Sequence, residues 1–223
     1  MIEIKDLQVS YGKNLIFNKT NATFHKGNCY GIIGLNGSGK TTLFEAIYGF
    51  KRSKGFITLN GEPIRKEKIA YLPTDNYFFE NLTAKEYLKV FDKNNDSYLI
   101  TQLETLFNIK LEEFISSYSA GMKKKLAIMG TLLLKREIFL LDEPFNNLDS
   151  ETILLIIAII KKLKENGKTV VLSSHIIHFL DEFCDEVYFI EEKQIKKSTK
   201  SAESYTYERL SYNYEKILNG VKF

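Results

Sequence analysis

The sequence predicts an α/β fold. It comprises a mostly parallel sheet covered by helices, an antiparallel β part at the N-terminus and a helical subdomain inserted into the core. Three observations predict it. Short apolar runs ("CYGIIGL", "IFLL", "TVVLS", "EVYFIE") alternate with helical periodicity, the pattern of a parallel sheet buried on both faces. From about Thr83 to Lys135 only the helical period is present, as in Met122, Leu126, Met129 and Leu133. Ahead of both, residues 2–9 and 15–24 alternate apolar and polar positions with β-branched residues, the pattern of half-buried strands.

In chain order, those first two strands lead into the continuous apolar strand "CYGIIGL", a glycine-rich loop and the helix "TTLFEAIYGF". "GFITLNGEPI" is a strand, a turn at Asn60–Gly61 and a return, since Asn-Gly supplies the positive φ angles that a tight hairpin needs. The helical subdomain covers about 75–136. Strand "IFLL", a helix around Ile153–Leu163, strand "TVVLS", a helix around Ile176–Cys184 and strand "EVYFIE" complete a first domain over residues 1–197. The tail, 198–223, is tyrosine-rich, and Tyr207, Leu210, Tyr214, Ile217 and Val221 form one apolar stripe at helical spacing. It reads as a terminal helix docked on its own core.

Composition bounds the function. With 223 residues, 44% hydrophobic and 26% charged, the chain is an ordinary soluble globular protein. A net charge of +3 neither requires nor excludes nucleic acid, because clustering rather than total charge decides that. Two cysteines, Cys29 and Cys184, lie far apart in sequence without metal-type spacing, which fits a reducing compartment rather than a disulfide scaffold. Glu3, Lys5 and Asp6 interrupt the place where a signal peptide would have its apolar core. The longest apolar run, Ile153–Ile160, is far short of the roughly 20 residues of a membrane span, so it reads as a buried helix.

The chemistry concentrates in "GIIGLNGSGKTTL", Gly31–Leu43. Gly34, Gly39, Lys40 and Thr41 fit G-x-x-x-x-G-K-[ST], with Gly37, Asn36 and Ser38 inside the loop and Thr42 just after it. Backbone N–H groups of such a loop turn toward one anion, and the helix that follows adds its N-terminal dipole. Lys40 would reach the terminal phosphates and the Thr41 hydroxyl would hold Mg²⁺. The core is therefore that of a P-loop NTPase. "IFLLDEP" then puts Asp142 and Glu143 after four apolar residues, with Pro144 expected to end the strand. In an extended chain such neighbours point in opposite directions. Asp142 is thus expected in the metal shell and Glu143 beside a water at the terminal phosphate. His175 follows "TVVLSS", so loop, acids and histidine share the carboxyl edge of one sheet, where α/β folds bind ligands. His178 and His25 read as structural.

With these motifs in order, the chain resembles the nucleotide-binding subunits of ABC (ATP-binding cassette) transporters from about residue 2 to about residue 197. "YSAGMKKKL", Tyr118–Leu126, is similar to the family signature, and physically it is a helix N-terminus trailed by Lys123, Lys124 and Lys125, a second anion site. The resemblance implies ATP as ligand and two cassettes, identical or different, paired head to tail. Ser119, Ala120, Gly121 and Met122 of one would then cover the ATP held by the other. It further implies Tyr11 stacked on adenine, Asp149 of "NNLD" at the dimer seam, Glu143 and His175 as catalytic residues, and a separately encoded transmembrane permease. The protein would then be cytoplasmic and peripheral on the inner face of the membrane, with no nucleic-acid partner.

Two departures stand out. The signature reads Tyr-Ser-Ala-Gly-Met rather than Leu-Ser-Gly-Gly-Gln, similar to the branch that includes antibiotic-resistance exporters. Thr74 stands after Tyr-Leu-Pro where the family usually has Gln or Glu. A threonine is too short to reach the metal directly, so Thr74 or Asp75 would act there through water. Tyr77, Phe78 and Phe79 either face the permease or pack the subdomain. Soluble ABC ATPases of the iron–sulfur assembly type share every catalytic motif. Translation-type members carry two cassettes and repair-type members a long coiled coil, whereas here Lys40 and Asp142 lie about one hundred residues apart in a single cassette.

Overall fold

The computed structural model describes residues 1–93, 95–174 and 180–198. Strands β1 (Ile2–Tyr11), β2 (Asn14–Phe24), β4 (Lys54–Leu59) and β5 (Glu62–Pro63) form an antiparallel sheet in the order β2-β1-β4-β5. The β4–β5 hairpin turns at Asn60 (φ 53°) and Gly61 (φ 86°), the two consecutive left-handed residues that a two-residue turn demands.

The second sheet contains β3 (Cys29–Ile33), β6 (Ile69–Leu72), β7 (Ile138–Leu141), β8 (Thr169–Ser173), β9 (Glu186–Glu191) and β10 (Gln194–Lys197). Its order is β10-β9-β3-β8-β7-β6, parallel throughout except for the β9–β10 hairpin. The strand period of two sorts its side chains into two cores. On one face Cys29, Ile33, Phe139, Leu141, Val170 and Leu172 join a core with the helices after β6. On the other, Tyr30, Ile32, Ile138, Leu140 and Val171 meet the antiparallel sheet and helix α1 (Lys40–Tyr48). Continuous apolar runs are what a sheet covered on both sides requires.

Helices α2 (Ala84–Phe91), α3 (Ser97–Phe107) and α4 (Ala120–Leu133) lie between β6 and β7. Each starts on a side-chain cap: Thr83 with Glu86 in a reciprocal capping box, Asp96, and Ser119. Helix α5 (Ser150–Glu165) is capped by Asp149, and α6 (Leu180–Phe183) is a single turn. The predicted helix around Ile176–Cys184 is helical over that turn, while 176–179 and the tail from 199 lie outside the described residues. No helix among the described residues is long and apolar enough to cross a membrane.

Three details differ from the sequence reading. β6 and β10 are additional strands, and β7 ends at Leu141, so Pro144 lies beyond the strand rather than terminating it. Cys29 and Cys184, far apart in sequence, bring their Sγ atoms to 3.7 Å as free thiols. Burial, together with contact to Cys29, pushes the Cys184 thiol well up, which keeps it protonated.

Candidate active site

β3 delivers the chain into the glycine loop at the middle of the parallel sheet, flanked by β8 and β9. Gly39 takes φ 109°, and a Cβ there would stand 2.6 Å from Ile16 Cγ2, so only glycine fits the entry to α1. A Cβ on Gly34 would lie 2.3 Å from Ser38 Oγ. No side chain caps α1, so its first N–H groups stay available to an anion. Lys40 is buried; its Nζ donates to the Gly34 carbonyl at 2.9 Å and stands 3.5 Å from Glu143 Oε1. The buried Ser38 hydroxyl has no hydrogen-bond partner among the described residues, a cost that folded proteins accept where a ligand completes the bond.

The acids arrive from β7, whose neighbour β6 receives the Asp142 N–H on Leu72 O at 2.8 Å. Thr41 Oγ1 donates to Asp142 Oδ2 at 2.6 Å, and Ser173 Oγ donates to Asp142 Oδ1 at 2.5 Å. Ser173 in turn accepts the Glu143 N–H at 2.9 Å. The two acids do not follow the extended alternation expected of them, although each keeps its own neighbour. Glu143 has φ 47°, a left-handed turn costing on the order of 1 kcal/mol for a non-glycine residue. That turn leaves both acids beside the glycine loop, Asp142 on Thr41 and Glu143 near Lys40. Ser173 escaped the sequence reading; its only signal is a hydroxyl at the carboxyl end of an otherwise apolar strand.

A cavity of about 640 Å³ is lined by Lys40, Thr41 and Glu143, with Tyr11, Asn36, Gly37, Thr42, Thr74 and Asn146 on its other walls. The exposed Tyr11 hydroxyl donates to Glu45 at 3.0 Å, and Lys51 Nζ sits 3.1 Å from the ring centroid, so a cation already covers one face of the ring. Asp75 lines a neighbouring cavity of about 620 Å³ together with Thr74, Tyr77, Phe79, Lys123 and Lys124. Phe78 packs on Tyr87 at 5.1 Å between ring centroids, whereas Tyr77 (78% exposed) and Phe79 face solvent as an edge-to-face pair. The three aromatics therefore divide between packing and surface. His175 lies outside the described residues.

The signature starts α4. Ser119 Oγ accepts the Met122 N–H at 3.2 Å, Ser119 and Ala120 are exposed, and Gly121 and Met122 are half-buried. A Cβ on Gly121 would come within 2.8 Å of Asn147 O, which pins this helix end to the turn after Glu143. Asp149 Oδ1 accepts the Thr152 N–H at 2.8 Å, a bond that holds its carboxyl below the usual range. The three lysines do not form one anion patch. Lys123 stands 3.6 Å from Glu80, Lys125 Nζ donates to Phe107 O at 3.4 Å, and Lys124 is buried.

The residues present suit a nucleotide and its metal: an uncapped helix start, an orphaned loop hydroxyl, a cradle that excludes Cβ atoms, and a hydroxyl and carboxylate side by side. Mg²⁺ would be held by Thr41 and Asp142 and would offset phosphate charge. Comparisons with known proteins point to an ATP-binding family. A profile of the ABC transporter family matches residues 17–146. The chain is 32% identical over 216 residues to the putative ABC transporter ATP-binding protein AlbC of Bacillus subtilis, covering 88% of this chain and 90% of that one. It is 32% identical over 203 residues to the lantibiotic transport ATP-binding protein SrtF of Streptococcus pyogenes, covering 87% and 89%. A solved ATP-binding subunit of an ABC transporter superposes with a TM-score of 0.83 at 25% identity, covering 93% of both chains. Phosphate loop, paired acids, signature helix and these relatives together establish that this chain belongs to the ABC transporter family and carries its ATPase domain.

Proposed function

We propose that this chain hydrolyses ATP to power a separately encoded transmembrane permease, in an exporter, by closing and reopening a head-to-tail dimer on the inner face of the membrane. The observation that carries the reading is the cluster at the start of α1: Lys40, Thr41 and Glu143 line one cavity, and the buried Asp142 accepts the Thr41 hydroxyl hydrogen behind it. In this reading the backbone from Gly34 to Thr42, with Asn36, Gly37, Ser38 and Gly39, wraps the phosphates. Lys40 leaves the Gly34 carbonyl to neutralise them. The free face of Tyr11 takes the adenine.

Glu143 accepts a proton from the attacking water, and His175, next in sequence after Ser174, is the second catalytic residue of this reading. Thr74, on the cavity wall, and Asp75 reach the metal shell through water. Ser119, Ala120, Gly121 and Met122 face the ATP of the second copy, and Asp149 lies at the seam. The Ser119 hydroxyl suits this because it accepts the Met122 N–H and keeps its own hydrogen to donate. Tyr77 and Phe79, exposed at the rim of the second cavity, suit docking of the permease. Similarity to a lantibiotic transport protein supports a transporter subunit over a permease-free ATPase.

The test compares ATP hydrolysis and ATP-dependent dimerisation of the full chain with those of Glu143→Gln, by phosphate release and light scattering. The wild type is expected to hydrolyse ATP. The variant is expected to lose on the order of 100-fold or more in rate and to accumulate as an ATP-bound dimer. Wild-type hydrolysis by the variant, or no pairing of either protein with ATP, would overturn the reading.

A further inference from the structure

The ring of Tyr11 is held in two places by its own chain. Tyr11 ends β1 and lines the cavity of about 640 Å³ at the phosphate loop. Its hydroxyl donates to Glu45 Oε2 at 3.0 Å, and the Lys51 ammonium stands 3.1 Å from its ring centroid. Both partners come from α1 and the turn that closes it. Glu45 lies on the second turn of α1, and Gly49, at φ 82°, ends that helix in the left-handed conformation. The chain then folds back, so that the N–H groups of Phe50 and Lys51 both donate to the Glu45 carbonyl, at 2.8 and 3.1 Å. Glu45 therefore anchors the tyrosine through its carboxylate and the lysine through its backbone. Lys66 gives the contrast. Its ammonium is 4.8 Å from the Phe50 ring centroid and 5.6 Å from that of Tyr48, and neither ring is among the walls of that cavity.

Tyr11 is 46% exposed, and an exposed side chain that stacks on a ligand loses rotamer freedom in doing so. A ring already fixed at its hydroxyl and along one face escapes most of that loss. The cation is attracted to the negative face of the ring and occupies it, so a flat base has the other face for stacking. We propose that Lys51 is a positioning residue for the nucleotide base: with Glu45 it fixes the Tyr11 ring so that the second face of the ring receives the adenine. The proposal rests on the reading above that Tyr11 stacks on adenine. It makes α1 the element that serves both ends of the nucleotide, the phosphates at its uncapped start and the base at its closing turn.

The test measures binding of MgADP and of magnesium pyrophosphate to the full chain by titration calorimetry. ADP is the product of the proposed hydrolysis and so is not turned over, and pyrophosphate has the phosphates without the base. Lys51→Met is expected to weaken MgADP roughly 3–5-fold. Pyrophosphate should stay within about 1.5-fold at physiological ionic strength, where salt screens distant charges. Lys51→Arg keeps the cation and should restore most of the ADP affinity, and Lys66→Met should change neither ligand. Tyr11→Ala is expected to weaken MgADP roughly tenfold, and adding Lys51→Met to it should have no further effect, because the lysine acts through the ring. Unchanged ADP affinity in Lys51→Met overturns the proposal. So does an equal loss for ADP and pyrophosphate, or the same loss in Lys66→Met, either of which would mark Lys51 as a general positive charge. An undiminished effect of Lys51→Met on the Tyr11→Ala background overturns it too. In each of these cases a Tyr11→Ala loss confined to ADP leaves the stacking reading standing. If Tyr11→Ala binds MgADP like the wild type, that reading fails and the proposal with it.

Discussion

The starts of α1 and α4 are both helix N-termini at the catalytic edge, yet they are finished in different ways. α1 begins after Gly39 in a left-handed conformation with no side-chain cap, and the Ser38 hydroxyl beside it is unpaired. α4 begins on Ser119, whose hydroxyl caps the Met122 N–H. The first end is left incomplete, so an anion supplies what the chain withholds. The second is complete by itself and can only add a contact. The difference teaches which end needs an anion: α1 is unfinished without one, whereas α4 is finished by its own cap.

Substitutions can break or sharpen this contrast. The largest effect is expected from Gly39→Ala, which forces a Cβ against Ile16 at a φ of 109°. The strain, on the order of 1–3 kcal/mol, falls on the loop itself. ATP affinity measured by titration calorimetry should drop by at least about tenfold, with a lower thermal midpoint. Ser119→Ala should leave ATP affinity unchanged, reduce hydrolysis about tenfold and lower the midpoint by about 2–4 °C through the lost cap. Thr83→Ala removes the corresponding cap of α2, outside the signature itself. It should cost a similar 2–4 °C or so with no change in hydrolysis. Equal activity losses in Ser119→Ala and Thr83→Ala would erase the distinction between a cap and a contact.

Much of the site was legible because its constraints are local. The glycine loop, the acids after "IFLL" and the signature are each written in fewer than ten consecutive residues. What escaped depends on partners distant in sequence. β6 is only Ile69–Leu72, and its pairing partner β7 begins at Ile138, so no local alternation announces it. β10 has a single buried apolar residue, Ile195, to mark it. The turn at Glu143 is likewise invisible in a string that reads as extended. Lys124 had a signal that the lysine run concealed. It shares the helical register of Ala127, Ile128 and Thr131, all of them buried, so periodicity places it inward while composition suggests a solvated face.

The bond between Thr41 and Asp142 joins residues 101 positions apart. With Ser173 as a third member, it ties the first helix to two strands of the sheet before any nucleotide arrives. The three polar groups at this junction satisfy one another within the chain, so helix and strands are braced where the loop opens, and little of a nucleotide's affinity is consumed in ordering them.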